Sequence, residues 1–95
     1  MKRELEQIIV TDANNLWREV VNKTDLDVEA VVPVEMVDPE SNTRLGSFHA
    51  SFVKEDSKIY LQLEDFDTPE WAEMFFQIYE GEWEVCLGGI YRMEL

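Results

Sequence analysis

Three consecutive stretches alternate apolar and polar residues with a period of two, and turn-rich segments separate them. In "VEAVVPVEMV", Val28, Ala30, Val32, Val34 and Met36 share one side, with Glu29, Pro33 and Glu35 on the other. In "RLGSFHASFV", Phe48, Ala50 and Phe52 alternate with His49, Ser51 and Val53, and in "KIYLQL", Ile59, Leu61 and Leu63 fall on one face. Side chains on a strand alternate between its faces, so each stretch reads as a strand with one buried side. The segments "DPESNTR" and "KEDSK" between them are polar and suit turns. A three-stranded antiparallel meander is the simplest arrangement. Pro33 has no N–H to give to a ladder, which predicts an edge strand or a bulge at that point.

Two helices are expected around this meander. Leu5, Ile8, Ile9, Ala13, Leu16, Trp17, Val20 and Val21 recur at spacings of three and four, which predicts an amphipathic helix over 4–22. Its middle, "VTDANN", is a poor helix former, and Thr11 or Asp12 could cap a second segment there. A second helix is expected over 69–80. Asp67 or Thr68 supplies the cap, Pro69 the first position and Gly81 the stop.

Beyond Gly81, Trp83, Val85 and Leu87 alternate with Glu82, Glu84 and Cys86, and Gly88-Gly89 suits a two-residue hairpin turn. A helix continuing to Leu87 is the competing reading, at a cost of about 1 kcal/mol for an interior glycine. The expected fold class is therefore α+β, αβββαββ with a C-terminal hairpin or αβββαβ with a single last strand. At 95 residues the chain makes one small domain, 1–95.

Charge is the unusual total. Eight basic residues stand against 21 acidic ones, a net −13, where a magnitude of about 2–8 suffices for solubility. The excess is uneven: residues 59–95 hold nine acids and only Arg92. The stretch "FDTPEWAEMFFQIYEGEWEV" alone carries six aromatic and six acidic side chains. On a helix the two kinds separate. Glu70, Glu73, Gln77 and Glu80 make one polar stripe, and the apolar side is wide enough to need either wrapping by the rest of the chain or a partner.

The inventory for catalysis is thin, and no enzyme activity is expected. His49 is the only histidine and Cys86 the only cysteine, so a zinc site of the usual type and an internal disulfide are both out of reach. Asp65 and Asp67 begin like a calcium loop, but its sixth and twelfth positions hold Glu70 and Phe76 instead of Gly and an acid. His49 and Ser51 share a strand face without an evident orienting acid. No metal and no cofactor are implied. The acidic balance would repel nucleic acid and anionic membranes, so direct binding to either is not expected. No apolar run reaches the roughly 18 residues of a membrane span, and the lone cysteine suits a reducing cytoplasmic setting.

What remains is a protein-interaction domain. An acidic partner-binding face is expected from Glu64, Asp65, Asp67, Glu70, Glu73, Glu80, Glu82 and Glu84, directed at another protein with a basic surface. In size and charge the chain resembles small acidic inhibitors of phages and mobile elements, such as anti-restriction and anti-CRISPR proteins. That resemblance implies carboxylates standing in for the phosphates of nucleic acid. An alternative is a homo-oligomeric (for example homodimeric) or adaptor domain with an aromatic interface built from Trp71, Phe75, Phe76, Tyr79 and Trp83. A further alternative is an immunity or antitoxin role, neutralising a basic toxin.

Overall fold

A computed structural model describes residues 2–79 and 81–95. Among them, seven strands form one mixed sheet: β1 (Arg3–Glu4), β2 (Ile8–Val10), β3 (Ala30–Asp38), β4 (Thr43–Glu55), β5 (Lys58–Glu64), β6 (Glu84–Cys86) and β7 (Ile90–Glu94). The two helices are short, α1 (Leu16–Thr24) and α2 (Pro69–Ile78). The order across the sheet is β1-β3-β4-β5-β7-β6, with β2 beside β1 on the same flank of β3. The expected α+β architecture is thereby corrected. The meander is only the middle of a larger sheet, and helices are the minor component.

The largest correction falls on the N-terminus. Residues 4–22 are not one helix. Ile8, Ile9 and Val10 are β-branched in a row, which favours an extended backbone. They pair in parallel with Val34, Glu35 and Met36. Val10, which the helical stripe left out, is fully buried, whereas Ile9 is 59% exposed. Helical structure starts only after Asp12, whose side chain accepts from the Asn14 N–H as a cap. One 3₁₀ turn, Ala13–Asn15, leads into α1.

Pro33 explains why this flank comes in two pieces. Arg3 and Leu5 donate to the carbonyls of Glu29 and Val31, so these residues point their backbone groups toward the N-terminal strand. By strand alternation Pro33 points the same way, and it has no N–H to give. The gap between β1 and β2 lies opposite it. The expectation of an edge strand is thus wrong, since β3 has neighbours on both sides, and the register shift of β3 lies at Met36/Val37.

Both helices lie on the same face of the sheet, and topology accounts for this. β2–α1–β3 and β5–α2–β6 are parallel crossovers, since β5 and β6 each run antiparallel to the β7 between them. They progress across the sheet in the same direction, so crossovers of the usual right hand put both helices on one side. One core results. Val10, Leu16 and Val20 meet Val32, Val34, Phe48, Ala50, Phe52, Leu61 and Leu63 from the sheet, and Trp71 and Phe75 from α2.

The turns follow local chemistry. Asp56 and Ser57 both take left-handed backbone (φ 52° and 68°), as the two-residue β4–β5 hairpin requires. The C-terminal hairpin is present, but its turn has three residues, Leu87–Gly89, with both glycines at positive φ (78° and 73°). Gly46 serves a different need. A methyl there would stand 2.5 Å from Trp71 Cδ1 and closer still to Cγ and Cδ2, so α2 approaches β4 only because that side chain is absent. No helix among the described residues is long and apolar enough to cross a membrane.

Candidate functional site

The expected acidic face divides between two layers. Glu70 and Glu73 are exposed on α2 in the helix layer. Glu64 and Glu84 belong to the opposite, helix-free side of the sheet, where Glu64 stands across from His49 and Glu84 across from Arg92. Glu82 is exposed just before β6. Glu80 lies outside the described residues.

Asp65 and Asp67 have other engagements. Asp65 takes a left-handed backbone (φ 58°) after β5, and its carboxylate comes within 3.3 Å of His49 Nδ1, off the direction of a hydrogen bond. Asp67 fastens the β5–α2 loop to β4. It accepts from Arg44 Nη2 at 2.6 Å and from the Ser47 N–H at 3.3 Å, while Arg44 Nε also holds Glu35 at 2.8 Å. Partial desolvation opposes ionisation of Asp67. The Arg44 and Ser47 hydrogen bonds and the Arg44 charge outweigh it and hold the carboxyl below its ordinary range. Reciprocally, the Asp67 hydrogen bond raises the Arg44 guanidinium.

The expected aromatic interface is largely interior. Trp71, Phe75 and Tyr79 are buried in the chain's own core. Phe76 and Trp83 are half-buried and pack on that core; Phe76 lies 4.5 Å from Tyr91 and 5.4 Å from Trp83, ring centre to ring centre. The C-terminal hairpin supplies the wrapping that the wide apolar side of α2 needs. Desolvation raises the Tyr79 phenol, as expected for a hydroxyl-bearing ring set into a core.

On the helix-free side, the register aligns one row across the whole sheet: Glu4, Val31, Ser51, Gln62, Arg92 and Glu84. Ser51 and Gln62 are buried there because long side chains fold over them. Lys2 Nζ donates to Ser51 Oγ at 3.4 Å, and Arg92 Nε to Gln62 Oε1 at 3.2 Å, with Arg92 Nη1 also on Glu55 at 2.9 Å. His49 Nε2 lies 3.2 Å from Glu4 Oε1. The two ring nitrogens thus face Glu4 and Asp65, and neither is engaged with Ser51. Among the described residues, no group of three His, Cys, Asp or Glu side chains is placed to hold a metal ion.

One feature of the structure lies outside these expectations. An open, mostly apolar cleft of about 720 Å³ runs between α1 and the C-terminal end of α2. Trp17 and Val21 of α1, Leu26 after it, Ile59 of β5, Met93 of β7 and Leu95 line it, with Tyr79 at the α2 end. The signal in the sequence was the doubling of the α1 stripe. Leu16 and Val20 go to the core, whereas the adjacent column, Trp17 and Val21, borders the cleft.

Comparison with protein-family models, with curated proteins and with solved structures gave no match to this chain.

Proposed function

We propose that this chain is a non-catalytic protein-interaction domain that binds another protein through that partner's basic surface. The observation that carries this reading is the charge left over after internal pairing. Residues 59–95 hold a single base, Arg92, and it is committed to Glu55 and Gln62. Glu70, Glu73, Glu82 and Glu84 are exposed and, among the described residues, lack a counter-ion within the chain. Such carboxylates steer and hold a cationic partner. A single phosphate-like track has less support, because Glu70 and Glu73 lie in the helix layer and Glu84 in the sheet. Neutralisation of a basic protein, whether enzyme or toxin, is the form of inhibition that this charge distribution suits.

The test is affinity capture from lysate of the source cells at about 50 mM and about 500 mM salt, since screening at the higher salt acts within about 3–5 Å. The wild type is compared with the Glu70→Gln, Glu73→Gln, Glu82→Gln, Glu84→Gln variant. A basic protein held by the wild type at low salt, released at high salt and missed by the variant is the expected result. A partner held equally under all four conditions would refute the role of these carboxylates.

A further inference from the structure

We infer that the basic partner adds an extended segment to the free edge of β6 as one more strand, with basic and apolar side chains alternating along it. This rests on the reading above and adds the place and the chemistry of the anchor. β6 ends the sheet: it pairs with β7 on one side and, among the described residues, with no strand on the other. Backbone N–H and C=O groups alternate between the two sides of a strand, so those of β6 not directed at β7 point outward. An extended backbone about 4.8 Å away is what pairs with such a row. Short as β6 is, no Lys or Pro falls between Gly81 and Ile90 to blunt it. The opposite edge is broken across from Pro33 and carries the basic Arg3.

The two faces of this edge select the side chains that fit. Val85 shares the helix-layer side with Tyr91, its partner in register, and Glu84 projects on the helix-free side with Arg92. Val85 and Leu87 are 72% and 95% exposed, the most open large apolar side chains among the described residues. On the helix-free side, Glu82 and Glu84 line a shallow hollow of about 280 Å³ with Glu94 and Arg92. Arg92 is taken up by Glu55 at 2.9 Å and Glu94 by Lys58 at 3.6 Å, so the carboxylates of Glu82 and Glu84 are the local surplus. Side chains directly opposite on neighbouring strands have Cβ atoms about 4.5–5.5 Å apart. An added strand therefore sets a lysine or arginine beside Glu84 and, one residue along, an apolar side chain beside Val85. A second copy pairing here would bring Glu82 and Glu84 of one chain toward those of the other, with a further net −13, which disfavours it.

The test uses a fluorescein-labelled heptapeptide alternating lysine and valine, with fluorescence anisotropy as the readout in about 100 mM salt. One control has the same composition with its valines in one block. A second is N-methylated along its backbone, which removes the N–H donors and leaves the side chains unchanged. A third carries glutamate for each lysine. The alternating peptide is expected to bind at least tenfold more tightly than any control. Val85→Ser and Glu84→Gln should each weaken it about fivefold, whereas Ile9→Ser, on the opposite edge, should leave it within about twofold. The circular dichroism melt of each variant checks the fold.

If the blocked and N-methylated peptides bind as well as the alternating one, or the alternating one does not bind, the strand-addition inference is overturned. Binding of all three lysine peptides, lost with Glu84→Gln, leaves the charge reading standing alone. Equal binding of the glutamate peptide overturns the charge reading as well. Dimerisation abolished by Val85→Ser, seen by sedimentation, would assign the edge to a second copy and overturn the inference in that way.

Discussion

Replacing Gly46 with alanine asks directly whether Trp71 belongs to the core or is free for an interface. The added Cβ would sit 2.5 Å from Cδ1 of the indole and nearer to two other ring atoms, where ordinary carbon contacts fall at about 3.5–4.0 Å. The ring or the helix must therefore retreat by about 1 Å or more. Trp71 is only 3% exposed and packs edge-on against Phe75, so the displacement reaches the centre of the core. Overpacking of this kind costs about 1–3 kcal/mol, and the lower chain entropy of alanine returns about 0.5–1. A net loss of about 1–2 kcal/mol is expected, read as a fall in the urea midpoint at unchanged slope. Shrinking the ring in the same chain with Trp71→Leu should make the alanine far less costly, because the two sites couple through contact. Equal stability of Gly46→Ala and wild type would refute the close approach of α2 to β4 and return Trp71 to the list of candidate interface anchors.

Two other outcomes follow from the turns and the ion pairs. Gly88→Ala and Gly89→Ala should each lower stability by about 1 kcal/mol, because both positions hold positive φ in open space where only backbone strain acts; thermal melts would read it. Asp67 has its carboxyl pKa lowered by folding, so its contribution is fully present above the unfolded value of about 3.9 and is lost as pH falls through the folded one. The difference in urea midpoint between wild type and Asp67→Asn should therefore be constant from pH 7 to about 5 and close below about 4. A difference that grows on acidification would contradict the Arg44 pairing.

The centre of the sheet was legible because its signals are local. The alternation through Met36, Phe52 and Leu63 needs no knowledge of what lies beside it. The N-terminus misled for a physical reason: Leu5, Ile8 and Ile9 have the spacing of a helical stripe and run in phase with the true helix after Asp12. The parallel pairing of residues 8–10 with 34–36 depends on α1 bringing the chain back, and no local pattern records that. The acidic surplus was visible in composition, but its division between layers depends on where α2 lies. The cleft is assembled from α1, the turn after it, the β4–β5 turn, the start of β5, Tyr79 just beyond α2, and the end of β7, so no single segment carries its mark.

A strand interrupted by its neighbour's proline can also come away in stages. The outer piece, Arg3–Glu4, is held by two register pairs, by the contact of Arg3 with Asp27 and by that of Glu4 with His49. The inner piece carries Val10, fully buried, and stays with the core. Peeling the first piece back as a flap would release the carbonyls of Glu29 and Val31 and strip Ser51 of its Lys2 cover without loosening α1. Native-state hydrogen exchange should see this as two tiers on one edge, with the Arg3 and Leu5 amides exchanging through local opening and the core strands only through global unfolding.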